Sequence, residues 1–253
     1  MSQPDPLFEF LLRMGDNALI LGHRLSEWCG KGPVLEEDIA LANTALDLIG
    51  QTQMWLGLAG EVEDAGRSAD DLAYFRDAYD FRCCLLVQQP NGDFGQTIMR
   101  QFLFDQWHLI ALGDLRHSAH DQIAAIAAKA EKEALYHVER SAELVIGLGD
   151  GTEESHARMQ AALGLLYPYV GELFDPDAAD HAVVAEGIAC DPASWRELFD
   201  TQAGRVFAEA KLTPPESRFF HKGGRTGARH SEHLGHLLAV MQSLPRSHPD
   251  ATW

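Results

Sequence analysis

The stretch AAIAAKAEKEALYHVERSA, residues 124–142, decides the fold and poses the main functional question. It has the composition of a long helix and places acidic residues about one turn before His137. Carboxylate-bridged metal sites in helix bundles use Glu-x-x-His on one helix face. Here the residue three positions before His137 is Ala134, and the nearest acid, Glu133, stands four before it. Whether this helix holds a metal therefore has to be judged from the rest of the chain.

Composition indicates a water-soluble helical protein of 253 residues, long enough to bury a substantial core. No apolar run approaches the roughly 20 residues of a membrane span. The net charge is −18, from 38 acids against 20 bases, which argues against nucleic acid and anionic membranes as partners. Four cysteines without C-x-x-C spacing predict reduced thiols and a cytoplasmic location.

Helical periodicity covers almost the whole chain, and strand-like alternation is nearly absent. The periodic segments predict helices at residues 7–28, 36–61, 94–115, 121–148, 152–174, 191–210 and 231–243. In the second of them the apolar stripe is expected to include Ile39, Ala42, Leu46, Ile49 and Met54. Long helices with short connections predict an all-α fold, a four-helix bundle with additional C-terminal helices.

A bridged diiron site requires one Glu from each of two helices and Glu-x-x-His from the other two, all at one level. The helix at 94–115 offers Asp105 and His108. The helix at 36–61 offers Asp47 but contains no histidine, and Gly50 stands at the depth where a ligand is needed. The first helix offers Glu27. The complete ligand set is therefore missing.

Two interpretations remain for these residues. In the first, His137, His108, Asp105 and Asp47 form buried, hydrogen-bonded pairs at the place of a former metal site. In the second, Glu27, Asp105, Glu133 and the histidines build an altered metal site.

Two further features lie near the C-terminus. Histidines 230, 233 and 236 are spaced three apart, which permits a zinc site but more simply describes a solvated or interface-facing helix. The basic, Gly-rich loop at residues 222–229 lacks the P-loop pattern and is a candidate partner contact.

Several stretches resemble one known family, the C subunits of bacterial phenylacetyl-CoA epoxidases, also called ring 1,2-phenylacetyl-CoA epoxidases. These are multicomponent monooxygenases of aerobic phenylacetate breakdown. The matching stretches are GDNALILGHRLSEWCG (15–30), IALANTALDLIGQ (39–51), VQQPNGDFGQTIMRQF (87–102), KEALYHVERS (132–141), LGDGTEES (148–155), ELFD (172–175), EGIACDP (186–192) and GGRTGARHSEHLGHLLAVMQ (223–242).

This resemblance implies a ferritin-like fold in one domain, residues 1–253, with a core bundle at about 5–175 and a trailing helical region at about 176–253. It implies a structural, non-catalytic role without a cofactor of its own. The expected partners are the diiron-containing A component, which is the catalytic one, and the other components of an NADPH-dependent oxidoreductase. Self-association is compatible with the resemblance.

Two alternatives stay open: an oxygen-activating metalloenzyme with a degenerate carboxylate/His site, and a stand-alone binding protein. For the hypothesis of a structural role in a complex, we expect the first two helices to form the interface, and Trp28 and Trp55 are either its anchors or ordinary core residues.

Overall fold

A computed structural model describes residues 5–217 and 219–251, and every regular element in these ranges is a helix. The α-helices are α1 (Pro6–Ser26), α2 (Leu35–Glu63), α3 (Ala69–Tyr74), α4 (Leu85–Gln88), α5 (Phe94–Leu115), α6 (Asp121–Gly149), α7 (Glu153–Leu166), α8 (Ala178–Ala185), α9 (Arg196–Glu209), α10 (Glu232–Met241) and α11 (Ser243–Ser247). In the described ranges, no helix is both long enough and apolar enough to cross a bilayer.

The chain forms two compact units. The first comprises the described residues up to Pro90 together with those from Gly223 onward, and therefore contains α1–α4, α10 and α11. The second runs from Asn91 to Lys222 and contains α5–α9. The predicted bounds of a core bundle at 5–175 and a trailing region at 176–253 stay a prediction, and residues 1–4, 218 and 252–253 lie outside the described chain.

In the first unit, α1 is the central helix, because all its residues from Glu9 to Gly22 are buried. It packs antiparallel to α2, and two glycines on α1 permit the close approach. A Cβ on Gly15 would lie 2.5 Å from Leu56 Cδ2, and one on Gly22 would lie 3.2 Å from Ile49 Cδ1. The two glycines are two helical turns apart, so they open one face of α1 to its neighbour.

The polar side chains on buried α1 hold the rest of the unit to it. Asp16 forms a fully buried, bidentate ion pair with Arg76, and its Oδ2 also accepts the Arg82 backbone N–H at 2.7 Å. The Arg82 side chain binds Glu9, with 2.6 Å between Nε and Oε2. Asn17 Oδ1 accepts the Cys84 backbone N–H at 2.8 Å. These bonds fix the irregular segment between α3 and α4 onto the central helix.

In the second unit, α5 is the corresponding central helix and is buried on nearly all sides from Gly95 to His108. Its first turn is capped by the Asp93 side chain, which accepts the Gln96 backbone N–H at 2.8 Å. Antiparallel to it runs α6, with Ser141 beside Asp105 near one end and Glu131 beside Arg116 near the other.

Only a narrow stripe of α6 is buried, and most of its members are small. The stripe consists of Ile123, Ala127, Ala130, Ala134, His137, Ser141, Val145 and Gly149. Small side chains let two helices approach closely, and here they leave His137 as the bulkiest polar group on the buried side of α6.

The predicted all-α class is confirmed, and the two antiparallel pairs α1–α2 and α5–α6 are of the kind from which ferritin-like bundles are built. The predicted apolar stripe of α2 is wrong for Ile39 and Leu46, which are exposed, whereas Leu48 and Trp55 are buried. Ile49, another predicted member, does face Gly22 of α1. Because α2 has apolar residues on both faces, its sequence contains two apolar stripes. The stripe with Ile39 and Leu46 faces outward, and the stripe with Leu48 and Trp55 faces the core. Because Trp55 is fully buried, it is core and not an exposed interface anchor.

We expect Arg76→Met to destabilise the protein by about 3–5 kcal/mol, because it leaves the Asp16 carboxylate charged and buried without its cation. Urea unfolding followed by circular dichroism measures this. The control is Arg158→Met, which removes a solvent-exposed pair with Glu154 and should cost less than about 1 kcal/mol. Equal losses in the two variants would contradict the structural role of the Asp16–Arg76 pair.

Candidate functional site

Asp105 is the centre of a buried polar cluster on the facing sides of α5 and α6. Its Oδ1 accepts the Gln101 Nε2–H at 2.6 Å from one turn earlier on α5. Its Oδ2 accepts the Ser141 hydroxyl at 3.0 Å from α6. All three residues are buried. Both oxygens of the carboxylate are therefore engaged by neutral donors from within the unit.

Two buried histidines complete the cluster. His108 stands three residues after Asp105 on α5, so the two share a helix face. The His108 ring lies between aromatic neighbours, 5.1 Å from the Phe104 ring centroid and stacked at 6.2 Å on Trp107. His137 on α6 is close enough to interact electrostatically with both Asp105 and His108. The structure therefore brings Asp105, His108 and His137 together, as their helical positions predict.

Burial shifts the proton equilibria of this cluster in opposite directions for its acid and its base. Removal from water raises the pKa of Asp105 to about 6, although the electrostatic interaction with His137 and the two hydrogen bonds oppose the rise. Removal from water also lowers the pKa of His108 to about 3, with charge repulsion from His137 adding to the effect. At neutral pH the cluster therefore contains an ionised Asp105 and a neutral His108.

The donor set on α5 and α6 does not fit a carboxylate-bridged pair of iron ions. Ala134 is fully buried one turn before His137, so a methyl group stands where a bridging glutamate would have to project. Glu133 is only partly buried and lies beside Ala134 on a different face of the helix. Within the described ranges, no group of three or more His, Cys, Asp or Glu side chains is arranged to hold a metal ion.

The candidate ligands in the first unit, Glu27 and Asp47, belong to no metal-binding cluster within the described ranges. Glu27 follows the last residue of α1, is exposed, and pairs with Arg24 at 3.1 Å. Asp47 is half-buried on α2. Gly50, expected at ligand depth, instead lies on the outer face of α2, where a Cβ would meet nothing within 4 Å. The expectation that Gly50 lies at ligand depth is wrong, because the spacing from Asp47 to Gly50 does not determine which of the two points into the bundle.

The three C-terminal histidines lie in different surroundings within the first unit. His230 Nδ1 lies 2.9 Å from Gln88 Nε2, and burial lowers the pKa of this histidine. His233 contributes its backbone carbonyl, which accepts a hydrogen bond from Arg24. His236 is exposed on α10. The three histidines therefore do not converge.

The Gly-rich loop is only partly buried: Gly224 and Arg225 are buried, whereas Lys222, Thr226, Ala228 and Arg229 are exposed. Gly224 lies so close to residues 83–85 that a Cβ would be 2.5 Å from the Cys83 carbonyl oxygen. Arg225 is buried, and its backbone carbonyl accepts the Arg13 Nε–H at 3.1 Å. The role of residues 222–229 as a partner contact stays a prediction.

Sequence reasoning missed Gln101 and Ser141, the two donors to Asp105. A signal was present, because Gln101 precedes Asp105 by four residues and Ser141 follows His137 by four. Those spacings place each donor on the same helix face as its neighbour.

A groove of about 790 Å³ lies on the surface of the second unit, between α5, α6 and the start of α9. Apolar side chains form much of its wall, among them Leu109, Ile110, Leu135, Trp195 and Leu198. Cys190 and Asp114 lie at its edge. A hydrogen bond to the Asp114 carboxylate raises the pKa of the Cys190 thiol to about 11, so the thiol is protonated at neutral pH.

We expect the stability of the protein to respond to Asp105 and His108 with opposite signs. The folded-state pKa of Asp105 is raised, so its contribution to the free energy of unfolding is present below about pH 4 and is lost as the pH rises to about 6. Relative to Asp105→Asn, wild-type stability should therefore fall by up to about 3 kcal/mol across that interval.

For His108 the folded-state pKa is lowered, so acidification from about pH 6.5 to 3 destabilises the fold. His108→Gln should unfold less readily in acid than wild type. Urea unfolding at several pH values tests both variants, with exposed His236→Gln as the control. Profiles parallel to wild type would show that neither group is shifted as described.

We expect Asp114→Asn to accelerate alkylation of Cys190 by iodoacetamide at pH 8 by roughly ten- to a hundredfold, since the thiolate fraction rises as the pKa falls. Peptide-resolved mass spectrometry measures the rate. Exposed Cys29 provides an internal reference that should react equally in both proteins. An unchanged Cys190 rate would mean that Asp114 does not restrain this thiol.

Comparison with known proteins agrees with this architecture. The model of the phenylacetic acid catabolic protein family matches residues 1–253. The chain is also 44% identical, over 247 residues, to the C subunit of the 1,2-phenylacetyl-CoA epoxidase of Escherichia coli (strain K12). That alignment covers 98% of this chain and 99% of the relative. The resemblance noted in the sequence is thereby confirmed, and the chain belongs to the phenylacetic acid catabolic protein family.

Proposed function

We propose that this chain is a structural, non-catalytic subunit of a phenylacetyl-CoA epoxidase, and that it supports a separate, diiron-containing catalytic subunit. The relative from Escherichia coli is named as one subunit of such an enzyme, which implies that it works within an assembly. In this proposal the chain carries no cofactor, and the NADPH-derived electrons and oxygen are used on the partner.

The observation that carries the proposal is the engagement of both Asp105 carboxylate oxygens by neutral donors. Gln101 and Ser141 each donate to one carboxylate oxygen, so both acceptor positions are used within the chain. Beside this, fully buried Ala134 offers no ligand at the helix position where bridged sites have a carboxylate. A buried polar cluster of this kind stabilises a specific packing of α5 against α6.

The charge of the chain fits a role within an assembly. A net charge of −18 keeps copies apart and favours surfaces that carry Lys and Arg. The four free thiols, two of them buried, fit a reducing compartment such as the cytoplasm.

The test is to purify the chain both by itself and in complex with its catalytic partner, and to count iron per chain by mass spectrometry. We expect substoichiometric iron on the isolated chain, and no more iron in the complex than the isolated catalytic partner holds. Near-stoichiometric iron on the isolated chain, lost in Asp105→Asn and His137→Gln, would overturn the proposal in favour of a metalloenzyme with an altered site.

Activity provides the second readout. In a complex reconstituted with Asp105→Asn, we expect epoxidation of phenylacetyl-CoA at close to the wild-type rate, since the residue touches no reacting atom. Ser141→Ala serves as the matched variant that removes one hydrogen bond and leaves the carboxylate. A loss of roughly a hundredfold or more in kcat with Asp105→Asn, in a complex that still assembles, would show that the cluster takes part in the reaction.

A further inference from the structure

The outer face of α2 is an apolar helix surface that nothing in the described chain covers. It consists of residues at steps of three and four along the helix: Leu35, Ile39, Asn43, Leu46, Gly50, Gln53 and Gly57. Leu35 is 71% exposed, Ile39 is 52% exposed and Leu46 is 69% exposed. The face spans about 33 Å at 1.5 Å per residue, long enough to pair with a complete helix.

The contact between α1 and α2 shows how two glycines seven residues apart act where a neighbouring helix is present. On α1, Gly15 and Gly22 lie seven residues apart and let α2 approach so closely that a Cβ would contact Leu56 or Ile49. On the outer face of α2, Gly50 and Gly57 are also seven residues apart, but a Cβ on either would meet nothing within 4 Å. The packing within this chain therefore does not require these two glycines.

The charges of α2 decide which kind of partner fits. Its charged side chains are all acidic: Glu36, Glu37, Asp38, Asp47, Glu61 and Glu63. Two copies meeting through this face would bring both acidic sets together, which disfavours a symmetric pairing. Asp38 already accepts backbone N–H groups and Glu63 already pairs with Arg67, but the helix keeps a net negative charge. A partner helix with small or apolar residues along its contact line and Lys or Arg beside it would therefore match both the apolar residues and the charge of α2.

We propose that the outer face of α2 is the docking surface for a helix of the catalytic partner in the epoxidase, one with an apolar contact line flanked by basic side chains. The inference rests on the proposed function for the identity of the partner. The apolar centre, Ile39 and Leu46, is buried by the partner helix, and Gly50 and Gly57 admit its backbone.

Two variants test the surface, and each has a matched control on exposed α7. Leu46→Arg places a cation in the apolar centre, and Leu165→Arg makes the same change on α7. Gly50→Leu blocks close approach, and Gly164→Leu makes that change at an α7 position where a Cβ likewise meets nothing within 4 Å. The dissociation constant for the purified catalytic partner is measured by calorimetry.

We expect Leu46→Arg to weaken binding by roughly a hundredfold and Gly50→Leu by at least about tenfold, with both α7 controls within about threefold of wild type. Gly50→Leu should at the same time raise the Tm of the isolated chain by about 2–4 °C, because leucine has the higher helix propensity. Opposite signs for binding and for thermal stability separate loss of docking from misfolding.

The outcomes distinguish the two proposals. If wild type binds the catalytic partner and both α2 variants bind equally well, the docking surface is wrong while the proposed function stands. If wild type does not bind the catalytic partner, both proposals fail. If sedimentation shows that wild type forms dimers which Leu46→Arg dissociates, the face belongs to a second copy, and the assignment to the catalytic partner is overturned.

Discussion

The buried ion pair between Asp16 and Arg76 is the contact on which the first unit depends most. A helix surrounded by protein has no water to satisfy its polar side chains, so each of them has to find a partner inside. On α1 these partners come from the segment between α3 and α4 and from the loop that precedes α10. Hydrogen bonds to α1 therefore determine where the irregular segments of this unit pack.

In the second unit, neutral donors provide the hydrogen bonds to the buried carboxylate of the central helix. Asp105 on α5 accepts hydrogen bonds from an amide and a hydroxyl, whereas Arg140 acts on it only through a weaker electrostatic interaction. Its pKa is accordingly raised, which an ion pair with an arginine would prevent. One central helix therefore has a carboxylate paired with an arginine, and the other has a carboxylate whose pKa is raised to about 6.

Much of the fold follows from local chemistry. Both ends of α5 were predictable, because Asp93 caps its start and the periodic pattern stops at Leu115. The orientation of α2 was not, because apolar side chains occur on its inner and outer faces alike. Gly50 was misplaced for that reason, and of the two alternatives for Trp55 the structure supports the core position. Asp105, His108 and His137 were found by helical spacing, whereas Gln101 was missed because an amide four residues away carries no metal-ligand signature.

The fully buried alanines of α6 have an evolutionary consequence. Once a methyl group occupies position 134, the helices close around it, and a carboxylate introduced there later has neither room nor a compensating cation. An Ala134→Glu substitution would therefore be destabilising on its own, and changes in the residues packed around it would be needed to accommodate the carboxylate. Close packing around Ala134 therefore restricts which side chains this position can accept while the fold stays the same.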